Sequence, residues 1–154
     1  MFHITIIAVG KLKDKQFSIV CADYIKRINT FAKIEIIEVE SSPSFSDGDI
    51  QRVQREEEER IKRVLEKKKG DVVLLSEDGK QYSSSDLAKF IVGKKNEIIF
   101  VIGGSFGFTE SFKDSYTTHS LSLLTFPHEL ARVILVEQLY RAITINQKQN
   151  KYNK

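Results

Sequence analysis

The sequence predicts an α/β fold in which a parallel sheet of about five strands is covered by helices on both faces. Three observations lead there. Short runs rich in Ile, Val, Leu and Phe recur five times, and a helical pattern separates each from the next. The runs are also apolar almost throughout, which leaves no polar face for water and calls for cover on both sides. At 154 residues the chain is expected to form one domain spanning residues 1–154, enough for a sizeable core and too little for two.

The first strand is expected at residues 2–9. This run is too short to span a bilayer, has no basic leader and stops at Gly10-Lys11, so it reads as a strand and not as a signal peptide. A helix over 15–29 and a strand over 33–39 follow. The Ser, Pro and Gly content of 41–48 then marks a loop. Residues 49–69 form the next expected helix, with Val53, Ile61, Val64 and Leu65 as its inward stripe. Its acids precede its bases at Glu56/Arg60, Glu58/Lys62 and Glu59/Arg63, an i,i+4 pattern that reads as a solvated face.

A strand over 71–76 leads to a helix over 84–92, capped by Ser83, Ser84 or Ser85 and carrying Leu87, Phe90 and Ile91. The fourth strand, 97–102, precedes a short helix over 109–116 that Thr109 and Glu110 can start. A fifth strand is expected at 119–124. Pro127 then opens a long helix to residue 145, because proline tolerates the first helical position. Val133, Ile134, Val136, Leu139 and Ala142 form its expected buried face. Arg132, Glu137 and Arg141 lie on the same apolar helix, where charge requires either a partner or a chemical role.

A composition of 41% apolar and 29% charged residues is that of a globular protein. Cys21 is the single cysteine and cannot form an intrachain disulfide, which fits a cytoplasmic setting. The net charge of +3 is uneven: Arg132, Arg141, Lys148, Lys151 and Lys154 against the lone acid Glu137 put +4 on residues 131–154 and leave −1 for the rest. That end is either a polyanion contact or a solvated tail.

Several chemistries lack a signature. Gly103-Gly104-Ser105-Phe106-Gly107 follows a strand, as phosphate-binding loops do, but it follows the fourth strand and does not match Gly-x-Gly-x-x-Gly. His3, His119, His128 and Cys21 show no metal-ligand spacing, so no metal is expected. No Gly-x-Ser-x-Gly nucleophile turn is present.

Two segments together carry more information: Val101-Ile102-Gly103-Gly104-Ser105-Phe106-Gly107, and Leu121-Ser122-Leu123-Leu124-Thr125-Phe126-Pro127-His128 with the helix that follows. At this spacing, with Ile7-Ala8-Val9-Gly10-Lys11-Leu12-Lys13 and residues 33–39 upstream, the chain resembles the SPOUT class of S-adenosylmethionine-dependent methyltransferases. More narrowly, it is similar to the small bacterial family that methylates N3 of a pseudouridine in large-subunit (23S) ribosomal RNA, acting on the assembled ribosome.

The resemblance implies a C-terminal deep trefoil knot, which composition would never suggest because knots are so rare. It also implies a cofactor, S-adenosyl-L-methionine, held by the backbone of three loops. The matching positions are Leu75, Gly103, and the run Leu121, Ser122, Leu123, Leu124, Thr125 and Phe126. A homodimer with the last helix at its interface is implied, and no membrane contact.

Candidate catalytic residues are Arg132, Glu137, Arg141, His128 and Tyr152. An arginine could stabilise the imide anion formed at N3, and Glu137 or His128 could orient it or accept a proton. Each also has a structural reading: ion pairs for Arg132, Glu137 and Arg141, a helix-start contact for His128. In the tail, Lys148, Lys151 and Lys154 suit phosphates and Tyr152 the target base. Asn153 stands where the family carries histidine, which leaves a second reading as a weakly active, RNA-binding relative.

Overall fold

A computed structural model describes residues 2–147. Its five strands are β1 (Phe2–Val9), β2 (Ala32–Val39), β3 (Gly70–Gln81), β4 (Glu97–Ile102) and β5 (Thr117–Ser120). They form one parallel sheet in the order β2-β1-β4-β3-β5. The helices are α1 (Lys15–Ile28), α2 (Ile50–Leu65), α3 (Ser84–Val92), α4 (Glu110–Asp114) and α5 (His128–Asn146), with a 3-10 turn at Asp47–Asp49. The expected α/β sheet of five parallel strands is therefore what forms.

Both faces of the sheet are covered because the strand side chains alternate. Ile4, Ile6 and Ala8 of β1 and Ile98, Phe100 and Ile102 of β4 pack with Cys21 and Ile28 of α1, Leu87, Ala88 and Ile91 of α3, and Leu135, Val136, Leu139, Ala142 and Ile143 of α5. On the other face, Ile7, Val9, Ile99 and Val101 meet Ile61 of α2, Phe112 of α4, and Phe108 just ahead of α4. Asp14, Ser83 and Thr109 accept backbone N–H bonds at the starts of α1, α3 and α4, satisfying donors the helices leave open.

Three elements depart most from the sequence reading. α2 ends at Leu65, four residues early, and the chain re-enters the sheet at Gly70, where a side chain would lie 2.5 Å from the Glu97 carbonyl oxygen. β3 runs past residue 76. It pairs with β4 as far as Leu75↔Ile102 and, after an irregularity, rejoins β5 at Lys80↔His119. Gly79 permits this, because a Cβ there would come within 2.8 Å of the backbone of Thr118 and His119.

The fifth strand occupies 117–120, not 119–124. Past Ser120 local polar bonds replace the ladder: Ser120 Oγ donates to the Ser122 carbonyl oxygen at 2.8 Å, and Ser122 Oγ accepts from the Leu124 N–H at 3.0 Å. Such bonds compete with strand pairing. The run 121–127 is thereby released as a loop ahead of α5.

Candidate functional site

Three segments meet where β3 leaves its pairing with β4 and beyond the carboxyl ends of β4 and β5, the edge at which open parallel sheets bind ligands. They enclose a cavity of about 620 Å³, within the range of small-molecule sites. Leu75, Gly103, Leu121, Ser122, Leu124, Thr125 and Phe126 line it, together with His128 and Ala131 at the start of α5. Leu123 stands apart from the lining and is 76% exposed. A second cavity, about 640 Å³, lies between α2 and α4 among Arg55, Glu59 and Lys62 and shares no lining residue with the first.

The glycine loop is shaped by close contacts. A Cβ on Gly103 would lie 3.1 Å from Phe108 Cζ, and one on Gly104 would lie 2.6 Å from Glu57 Oε1. Gly107 has φ +64° and donates to the Gly104 carbonyl oxygen at 3.0 Å, closing a tight turn that favours glycine. Glycine is thus demanded by α2 behind the loop as well as by its backbone. The cradle in front suits a cofactor held by main-chain groups, with Leu75, Leu124 and Phe126 as apolar walls.

α2 holds that loop by one polar row. Gln54 Nε2 donates to the Phe106 carbonyl oxygen at 2.9 Å. Glu57 accepts from the Ser42 N–H at 3.0 Å while its other oxygen faces Gly104. Glu58 accepts from Thr109 N–H at 2.7 Å and Thr109 Oγ1 at 2.8 Å. Positions 54, 57 and 58 share one helix face.

The charge run is therefore not wholly solvated: Glu57 and Glu58 are buried, and Lys62 sits over the Phe112 ring. Sequence reasoning missed them by pairing acids with bases. The signal was there, since Glu57 continues the Val53–Ile61 stripe at four-residue spacing. Burial pushes the Glu57 carboxyl above the usual carboxylate range, against the Ser42 N–H bond and Arg60 that favour its charge.

The catalytic candidates are dispersed along α5. His128 lines the cavity, near Gly10. Arg132 turns away from it: Nη1 donates to Glu38 Oε2 at 2.8 Å and Nη2 to the Gly10 carbonyl oxygen at 3.1 Å. Glu129 accepts from the N–H groups of Lys13 at 2.6 Å and Asp14 at 2.9 Å. These donors hold its carboxyl below the usual range. The first turns of α5 are thus pinned to residues 10–14. Glu137 and Arg141 pair with each other at 2.6 Å on a half-buried stretch further along. Tyr152, with Lys148, Lys151, Asn153 and Lys154, lies outside the described residues.

Among the described residues, no group of three or more His, Cys, Asp and Glu is placed to hold a metal ion, and no helix is long and apolar enough to cross a membrane.

Comparison with known proteins agrees with this architecture. A family model described as "Predicted SPOUT methyltransferase" matches residues 2–152. A protein of Thermodesulfovibrio yellowstonii named ribosomal RNA large subunit methyltransferase H is 44% identical over 146 residues, covering 94% of each chain. One of the same name from Bacillus cytotoxicus is 41% identical over 154 residues, covering 94% of this chain and 95% of its own. Among solved structures, one titled a probable methylase family protein, from Haemophilus influenzae Rd KW20, superposes with a TM-score of 0.58. It is 16% identical and covers 99% of this chain and 71% of its own, a likeness of fold alone.

Proposed function

The chain belongs to the SPOUT methyltransferase family, and from that premise we propose that it methylates N3 of a pseudouridine in 23S ribosomal RNA, on the assembled ribosome, using S-adenosyl-L-methionine. The observation that carries this reading is the cavity itself: seven of the eight positions expected to hold the cofactor line it, although they come from three distant parts of the chain.

The cofactor supplies an activated methyl group on a sulfonium, so the protein needs neither a metal nor a covalent nucleophile. The exposed backbone of 121–126 can bond the edge of its adenine, with Leu75 and Leu124 flanking the ring. Gly103 and Gly104 let the loop's main chain pack flat against Phe108 and Glu57 behind it, which leaves its other side to face the cofactor.

The acceptor N3–H lies between two carbonyls and is weakly acidic. The protein's share of the work is to align that nitrogen and to stabilise the charge left when the proton departs. His128, in the cavity wall, is the proposed proton acceptor or orienting group. Arg141, held by Glu137, lies about 20 Å further along α5 than His128, so it is the proposed cation for the imide in the partner subunit's site and not in its own. Arg132 contributes by fixing α5 against β1 and β2.

A deep trefoil knot involving 121–127 and a homodimer through α5 complete the proposal. The dimer is supported by Ile19 and Val20, apolar and exposed on α1, which packs beside α5. Tyr152 and the lysines of the tail are proposed to contact the RNA, in a cytoplasmic setting.

Mass-spectrometric mapping of modified nucleosides in large-subunit RNA, from cells with and without the gene, tests the reaction. The expected result is a methylated pseudouridine that disappears with the gene and returns with it. An unchanged modification profile would overturn the reading.

A further inference from the structure

Glu57 sits behind the wall of the cavity and not in it. It is 3% exposed, and its Oε1 has no hydrogen-bond partner among the described residues. A Cβ on Gly104 would meet Oε1 at 2.6 Å and Oε2 at 3.0 Å, so only a glycine's width of backbone separates the carboxyl from the cavity that Gly104 lines. A buried polar atom without a partner is costly and is retained where something else benefits from it.

We propose that Glu57, behind Gly104, is a specificity-determining group that makes the cavity favour a positively charged sulfonium donor over its uncharged thioether product. The inference rests on the reading of the cavity as an S-adenosylmethionine site. When the methyl leaves, the carbon–sulfur bonding pair stays on sulfur and the ligand loses its sulfonium charge. A carboxylate held in a dry position beside the cavity attracts the first form and is indifferent to the second. The same group therefore draws the donor in and lets the product go.

The surroundings cancel that charge only in part. The loop 103–107 carries no ionisable side chain. The segment containing Ser42 contributes a backbone N–H to Oε2. On α2, Glu58 is committed to Thr109. Arg60 is committed to the Glu40 carbonyl oxygen, Ser42 Oγ and, at 3.9 Å, Glu56. Because burial already favours the protonated form of Glu57, a cation across the wall must draw out its proton. Donor binding should then strengthen with pH while product binding does not.

Calorimetry of S-adenosylmethionine and S-adenosylhomocysteine on the full chain and on Glu57→Gln tests this. Titrations run from about pH 5 to pH 7, below the usual α-amino titration. In the parent the donor-to-product affinity ratio is expected to rise with pH, by up to about tenfold for each unit by which donor binding lowers the Glu57 pKa. In Glu57→Gln that rise should shrink to whatever His128 and Glu77, the other titratable side chains of the cavity lining, contribute, since both are present in both proteins. A ratio independent of pH in the parent, or the same profile in Glu57→Gln, overturns the inference. Should the variant fail to fold, the same titrations on the double variant Glu77→Gln, His128→Gln, which keeps Glu57 and removes the other titratable side chains of the cavity lining, decide: a rise with pH that persists is expected, and its loss overturns the inference. Binding of neither compound to the parent would instead overturn the cofactor reading, and the inference with it.

Discussion

Arg132 of α5 and Glu38 of β2, 94 positions apart in the chain, form a 2.8 Å ion pair in which the arginine side chain is 5% exposed and the glutamate 38%. The same guanidinium reaches the carbonyl oxygen of Gly10, where the chain turns at φ +88° after β1. One side chain thus joins the start of the last helix to two neighbouring strand ends. Glu38→Gln leaves that charge buried with a neutral partner. Its expected cost is about 1–3 kcal/mol, below the figure for a fully buried pair because Glu38 is partly solvated. Urea unfolding checks it, and an unchanged midpoint would show that the pair does not hold α5.

Gly103 touches Phe108 on one side and the cavity on the other. In Gly103→Val, Cβ meets Phe108 at 3.1 Å and Gly107 Cα at 3.3 Å, so the loop must shift and its main chain leaves its place in the cavity wall. Cofactor affinity should fall at least tenfold, about 1.4 kcal/mol. Equal affinity in the variant and the parent, measured by calorimetry, would remove this loop from the site.

His119 on β5 is buried, its Nε2 without a hydrogen-bond partner among the described residues, its ring 4.2 Å from that of Tyr82 and 4.7 Å from that of Phe90. Burial, and then Lys80 and Lys94, lower its pKa from 6.5 to about 4. The unfolded chain binds this proton first as pH falls, so its contribution to stability is present above pH 6.5 and lost progressively down to about pH 4. The loss amounts to at most about 3 kcal/mol. His119→Phe should flatten the stability–pH curve across that window. A curve of the same slope in the variant would mean that His119 does not titrate abnormally.

The proposed dimer can be tested on α1. Val136 and Leu139, natural choices on α5 from sequence, are wholly buried in the chain's own core, and substitution there would damage the fold first. Ile19 is 69% exposed. Ile19→Lys should leave the melting temperature of the fold nearly unchanged and raise the dimer dissociation constant at least tenfold, read by sedimentation. A monomeric parent with full activity would contradict the dimer outright.

The parallel α/β sheet was legible in the sequence because it depends on local properties: apolar runs of strand length, helical periodicity between them, and cap residues such as Ser83 and Thr109. The positions lining the cavity were legible only through resemblance, since nothing local in Leu75 or Leu121 marks a ligand. What the tertiary structure alone decided is which polar groups lose contact with water. It placed Glu57 beneath Gly104 and Arg132 against Glu38, and it ended β5 at Ser120 to release the loop of 121–127. These outcomes depend on which distant backbone arrives beside a side chain, and a carboxylate on an amphipathic helix carries no mark of whether water or a glycine loop will meet it.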